Sequence, residues 1–574
     1  MSRGCAARRA LAGLLLLLLT ACGGLPVPSG VRDASGVGGD ATDAGGIVVV
    51  APGPQPGMSA TELVRSYFYA LSRSPQDDHR IAREFLAPDV ECCDESQEAV
   101  LYPDGGVSFS LLEDSSVVRA SFTSVGRILP DGSFRLEDAE VRDDLRVRTV
   151  DGELRLESVP RGRRLVVDDL ERSCTPYDLH FLARSVDGSP SRRLVPDRVF
   201  LPASREPGQA LVDALLTGPT RRLAPAALSA APPGTTAEVT ADSGIVTVDL
   251  SAQAGALDTR DRQRLAAQLV WTLVPTYSGV RLRVDGAPLL PDDDAVQDRA
   301  DWASYDPSGA LDDAPLLFLQ DRRLHSLDDL PESEATTGEL PVDGAALSLA
   351  GTDLAVRTST ATGVDEVRTG PLAGPFGEPV LRGPGLTSLS WGPEDQGLWV
   401  LQTGTPAGVW LVPADGADGR APQRVPVQGP PGSGTLSALK VSRDGARIAL
   451  VLGGRLHVGR VEPTGEGVRV GDVTLVSREL EGVTDVAWRS GTTLVALGSF
   501  DGDGQLFPAE VSVDGSSFDV VQRPLVGAVA VAVAAAPRSP LVVAADVDGE
   551  QQLYRDDDTL FRQLEPGSSP FYPG

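Results

Sequence analysis

The sequence predicts a multidomain chain of three folded units. They are an α+β unit over residues 59–170, an α/β unit over 175–290, and an all-β propeller of five to seven blades over 310–574, with six favoured by the spacing of its repeats. Three observations support this. At 574 residues the chain is too long for one hydrophobic core. Its 41% hydrophobic content can fill several cores, while 62 glycines, 45 prolines and 5% aromatics favour short strands and many turns. In the third unit, a strand–turn–strand pattern recurs every 42 to 50 residues.

The chain opens with a processing segment. Arg3, Arg8 and Arg9 form a basic start and Leu11 to Leu19 an apolar run. That run is about half of the roughly 20 residues a spanning helix needs, so residues 1–21 read as a secretory signal. The end of the run, Leu19-Thr20-Ala21-Cys22, resembles the bacterial lipobox. The resemblance implies that Cys22 receives S-diacylglycerol and an N-acyl chain and becomes the mature N-terminus. The lipid is a thioether, so the chemistry needs a thiol, and small residues must precede it to fit the peptidase. Several acyl chains, at roughly 0.8 kcal/mol per buried CH₂, anchor firmly. The expected location is the extracytoplasmic face of the cell membrane. Residues 22–58, rich in Gly, Pro, Ala and Asp, read as a flexible tether with a mean span of roughly 30–35 Å. A later apolar run, "LVGAVAVAVAAAP" (525–537), is short and alanine-rich and reads as a buried strand.

Charge and cysteine use narrow the function. The formal charge is −29, and a chain starting at Cys22 carries −32 because the leader holds three arginines and no acid. Such a surface repels phosphate, which argues against nucleic acid as a partner. Acidity itself is read as solubility. Lys440 is the only lysine. With Cys5 lost and Cys22 lipidated, Cys92, Cys93 and Cys174 remain. Outside the membrane one disulfide is expected, Cys174 with Cys92 or Cys93. No metal is expected, since His79, His180, His325 and His457 lack ligand spacing, and no haem, copper or cluster ligand set stands out.

In the first unit, Leu63, Val64, Tyr67, Phe68 and Leu71 have helical spacing, and Ser59 with Glu62 makes a capping box. A second helix is expected over 77–86. Strand-like runs follow: "VSFSLL", "VVRASFTSVGRI", "SFRLEDAEVRDD" and "RVRTVDGELRLESVP". Helices followed by antiparallel strands argue α+β. The element order resembles the cone-shaped nuclear transport factor 2 fold.

The second unit reads strand, turn, strand over "YDLHFLARSVDGSPSRRLVPDRVFLP", then a helix "PGQALVDALLTGPT" stopped by Gly218-Pro219. Two strands, a helix containing "QLVWTL" and a closing strand ending at Asp285-Gly286 complete it. This series resembles the GerMN domain, which implies a non-catalytic α/β module of cell-envelope proteins. In the third unit, Leu347, Leu389, Leu439, Val486 and Val531 anchor five repeats, and "LLFLQDRRLHSLDD" (316–329) supplies strands for a further blade. "SRDGARIAL" resembles the turn and strand of TolB-like propellers, with Asp444-Gly445 as the hairpin.

Lipobox, helical α+β unit, GerMN-like unit and propeller in this order resemble the LpqB lipoprotein family of actinobacteria. The resemblance implies association with the extracellular domain of a membrane sensor histidine kinase, MtrB of the MtrAB two-component system, and an effect on cell-wall and division behaviour. The competing reading is a module binding cell-wall glycan or peptide, for which inward-facing acids and aromatics in the propeller channel would be the sign.

No catalytic set is expected. Ser437 and Lys440 fit S-x-x-K, but in an alternating strand they fall on opposite faces. Asp501-Gly502-Asp503-Gly504 lacks the further ligands of a calcium loop and reads as a blade turn. The runs Asp292–Asp294 and Asp556–Asp558 read as solvated loop tips. Trp271 reads as helix core, and Trp391 and Trp488 as matching packing positions in two blades.

Overall fold

The computed structural model describes residues 51–574 except 74–78, 95–96, 291–294, 310, 312–313, 328–339, 414–420, 431, 433, 466, 501–504, 522–528 and 558. The leader, Cys22 and residues up to 50 lie outside the described residues.

In the first module the capping box forms as the sequence requires. Ser59 Oγ accepts the Glu62 N–H at 3.3 Å, and the Glu62 carboxylate accepts the Ser59 N–H at 2.8 Å. The helix Ala60–Arg73 then buries Leu63, Val64, Tyr67, Phe68 and Leu71 against a six-stranded sheet. The second helix is shorter than expected, Arg80–Glu84. The strand Ala99–Tyr102 shows how the sheet serves two cores. Val100 and Tyr102 join the helix-side cluster, while Ala99 and Leu101 face the opposite one. The runs read as separate over 133–144 and 146–160 share one strand, Phe134–Val150, followed by Glu153–Ser158. Its acids are accommodated by pairing, Asp143 with Arg164 at 2.8 Å and Asp144 with Arg119 at 2.6 Å. The tether expected over 22–58 ends earlier than its composition indicated. Ala51 is buried in the helix-side core, and Gly57 N–H bonds the Glu153 carboxylate at 3.1 Å.

The expected pairing of Cys174 with Cys92 or Cys93 is corrected. Cys92 is bonded to Cys93, and Cys174 is a buried thiol. The two sheet faces explain this. Cys93 packs in the helix-side core, whereas Cys174 packs with Ile128, Phe134, Leu165 and Phe200 on the other face.

The second module holds a β–α–β unit. Strands Ile245–Leu250 and Gly279–Val284 run parallel, joined through the helix Thr259–Leu273, which Asp258 caps by accepting the Asp261 N–H at 2.8 Å. The hairpin strands Cys174–Arg184 and Pro190–Pro202 pack over that helix. Gln268, fully buried, accepts the Ala230 N–H at 2.7 Å and donates to the His180 carbonyl at 2.8 Å. The helix Gly208–Thr217 stops at Gly218, whose φ of 102° suits glycine, as the Gly-Pro pair predicts.

Six blades form the third module. Five are four-stranded, with inner strands Gly344–Leu347, Leu386–Trp391, Leu436–Val441, Glu481–Trp488 and Val529–Ala534 (blades I to V). Each contains one of the repeat anchors. Blade VI is composite. Leu317–Gln320 and Arg323–Ser326, the strands expected there, are completed by Ser568–Phe571 from the other end of the module. The ring therefore closes by pairing sequence-distant strands. Neighbouring inner strands are latched by polar side chains. Trp391 Nε1 donates to the Ala346 carbonyl at 3.0 Å, and Trp488 Nε1 to the Lys440 carbonyl at 3.1 Å. Val441 N–H donates to Ser390 Oγ, and Val533 N–H to the Asp485 carboxylate. The two tryptophans thus pack and also bridge blades.

Two outcomes are expected. Phe571→Ala, which removes a buried ring from the closing strand, lowers stability by about 3–5 kcal/mol in denaturant unfolding. Non-reducing peptide mapping yields a Cys92–Cys93 link, and maleimide labels Cys174 only after unfolding; a Cys174 cross-link to either neighbour would contradict the assignment.

Candidate functional site

Two concavities gather charged residues. The first is the junction of the modules. The strand Pro190–Pro202 of the second module lies over loops of blades II to IV. Arg193 pairs with Asp395 at 2.7 Å, and Arg198 donates to Thr492 at 3.3 Å. Between them Arg447 reaches up and donates to the Pro196 carbonyl at 2.8 Å. Arg222 reaches down to Thr474, and Arg460 donates to the Arg222 carbonyl. The first module joins through Phe134, whose ring lies 6.0 Å from that of Phe200, and through Gly132, whose carbonyl accepts the Phe200 N–H at 2.8 Å. Arg478 of the propeller pairs with Asp138 at 3.5 Å. All three modules line a cavity of about 40 Å³, room for about one water.

Asp197 forms part of its wall and accepts the Thr220 N–H at 2.7 Å and hydroxyl at 3.1 Å. Burial pushes its carboxyl up to about 6, against the pull of Arg447 and the Thr220 bonds. His180, buried on the hairpin strand Cys174–Arg184, is pushed down to about 4, again chiefly by burial.

The second concavity is the propeller channel, about 310 Å³, lined by inner strands of the blades. Its lining carries the aromatics Trp488, Phe571 and Tyr572 and the acids Asp343 and Asp485, together with the cations Lys440, Arg443 and Arg357.

Of the candidate residues, Cys22, Asp292–Asp294, Asp501–Gly504 and Asp558 lie outside the described residues. Ser437 and Lys440 diverge: Ser437 Oγ bonds the Val451 carbonyl of its own blade, while Lys440 Nζ donates to Leu389 of blade II. Asp557 accepts the backbone N–H groups of Thr559 and Leu560, a structural turn role. Trp271 is buried in the helix core and donates to the Trp302 carbonyl at 3.2 Å. Among the described residues no group of three or more His, Cys, Asp or Glu could hold a metal ion, and no helix is long and apolar enough to cross a membrane. Sequence reasoning missed Arg443 and Arg447. They flank the Asp444-Gly445 hairpin, and the available signal was a pair of arginines bracketing a tight turn otherwise set by Asp444 and by Gly445 at φ 76°.

These features define a class: a six-bladed propeller with an α/β module and a helix-on-sheet module packed on it. Family models match the same three regions: "Lipoprotein LpqB, N-terminal domain" over residues 53–171, "Sporulation and spore germination", the GerMN domain, over 178–290, and "Lipoprotein LpqB beta-propeller domain" over 328–573. Lipoprotein LpqB of Thermobifida fusca is 31% identical, with 98% of this chain and 97% of that protein aligned. That of Cutibacterium acnes is 26% identical, with 98% of each aligned. Among solved structures, TolB from Acinetobacter baumannii aligns with 59% of this chain and 82% of that one, at 12% identity and a TM-score of 0.36. The chain belongs to the LpqB lipoprotein family.

Arg447→Met removes the donor to Pro196 and one partner of the buried Arg447–Asp444 pair. The expected cost is about 3–5 kcal/mol, with new protease cleavage between the second module and the propeller. The pH profile follows from two opposed groups. The folded state holds extra protons on Asp197 between its ordinary 3.8 and about 6, so that group's contribution to stability falls as pH rises through this window. It holds fewer on His180 between about 4 and 6.5, so that contribution falls as pH drops. In Asp197→Asn only the second remains. Urea midpoints from pH 7 to 4 should then fall more steeply toward acid than in the parent; parallel profiles would contradict this.

Proposed function

We propose that this protein is a non-catalytic, lipid-anchored envelope protein that binds and modulates the extracellular domain of a two-component sensor kinase of the MtrB type. In this reading residues 1–21 are removed as a signal peptide and Cys22 carries diacylglycerol and an N-acyl chain. The protein then acts on the extracytoplasmic face, affecting cell-wall homeostasis and division. The observation that carries the anchoring is membership in a lipoprotein family across 98% of the chain, with a lipobox-like Leu19-Thr20-Ala21-Cys22 at the expected place. The kinase partner rests on the family resemblance. Three modules held together by buried charge support a binding role, because such a body presents one fixed surface to a partner.

Two measurements test it. Cys22→Ser should shift the protein from the membrane fraction to the soluble one. The native protein should co-purify from membranes with the kinase and be lost from that fraction when the kinase is deleted. Unchanged phosphorylation of the response regulator in a strain lacking this protein would defeat the modulating role.

A further inference from the structure

Near one end of the propeller channel, Asp306, Gly309 and Leu311, from the segment that links the second module to the propeller, each touch a different blade. Asp306 pairs with Arg538 of blade V at 2.8 Å, Gly309 lies against Arg443 of blade III, and Leu311 against Gly351 of blade I. At the other end the channel opens between the starts of the inner strands, where Thr387 and Thr484 are exposed.

The floor is cationic in a strongly acidic protein. Arg443 is only 9% exposed and lines the channel. It makes no ion pair among the described residues, and its Nη1 has no hydrogen-bond acceptor among them. Gly574, which also lines the channel, lies beside it, and no carboxylate side chain among the described residues pairs with it; a buried guanidinium so placed is costly, and burial brings it down to about 10. Lys440 stands near it and donates one bond, to the Leu389 carbonyl at 3.3 Å. Lys440 is held below its usual range by burial and by Arg443, against the pull of Asp485.

The channel's acids are already engaged. Asp485 accepts the N–H groups of Val486 and Val533, both at 2.9 Å. Asp343 pairs with Arg322 at 2.8 Å and accepts the Ser359 N–H. Arg357 is committed to the Asp343 carbonyl at 2.6 Å and lies 3.6 Å from the Asp365 carboxylate. Arg443 and Lys440 are left facing a cavity of about 310 Å³, at the lower end of the range for small-molecule sites.

We propose that the channel is a binding site for an oxyanion, a carboxylate or phosphate group, seated on Arg443 and Lys440. Arg443 offers the planar donor edge that such groups accept, and Lys440 adds a point charge. This goes beyond the kinase-modulating role and does not depend on it.

The single lysine makes the test direct. Full-length protein grown with ¹³Cε-lysine gives one side-chain resonance, from Lys440. Inorganic phosphate and acetate are titrated separately, each against sodium chloride at matched ionic strength. A saturable shift with phosphate, acetate or both is expected, together with a rise in the Lys440 titration midpoint of about one pH unit or more. The phosphate and acetate arms tell which group the site takes. Arg443→Gln should abolish the saturable shift. Thr484→Trp, at the exposed mouth and away from every core, should abolish it by blocking entry. Shifts no larger than chloride produces, or saturation undiminished in Thr484→Trp, would overturn the proposal.

Discussion

The arrangement of the modules depends on one constraint: arginines buried between them must find acceptors without water. Arg447 meets it at the Pro196 carbonyl, and Arg460 at the Arg222 carbonyl. Backbone carbonyls sit at fixed positions, so these bonds favour one placement of the second module on blades II to IV. A shift of one residue would take the Pro196 carbonyl away from the buried Arg447 guanidinium, whose lost hydrogen bond is costly inside the junction. Hydrophobic contact alone would permit sliding; the buried arginines do not.

The same face of the propeller performs a second task. The hairpin that carries Arg447 into the junction also places Arg443 in the channel, two residues before Gly445. The linking residues Asp306, Gly309 and Leu311 lie against blades V, III and I. Module docking and channel chemistry are therefore coupled through one turn, Ser442 to Gly445, which is tightened by the Ser442–Asp444 bond at 2.6 Å.

Much of the fold was legible in the sequence because its signals are local. The capping box at Ser59, the Gly218-Pro219 stop and the blade-length repeat each depend on residues within a few positions or on a regular period. The six blades observed fall within the five to seven expected from the repeat, six being favoured, and the strands Leu317–Gln320 and Arg323–Ser326 found their blade. What stayed hidden was long-range. No periodicity announces that Ser568–Phe571 completes a blade begun at Leu317, because pairing of strands some 250 residues apart leaves no local mark. The cysteine pairing failed for a related reason. Cysteine count cannot tell that a two-sided sheet separates Cys174 from Cys93. The junction was invisible because its arginines look like any surface arginine until the partner module covers them.

The central claim is that residues 51–574 fold as one cooperative body locked by the junction. Native-state hydrogen exchange of the full chain tests it most directly. The account predicts that slow amides in Val117–Ile128, Cys174–Arg184 and Arg447–Leu452, one strand from each module, open with the same free energy and the same denaturant dependence. Three distinct opening energies, with the propeller strand protected long after the other two exchange, would contradict it.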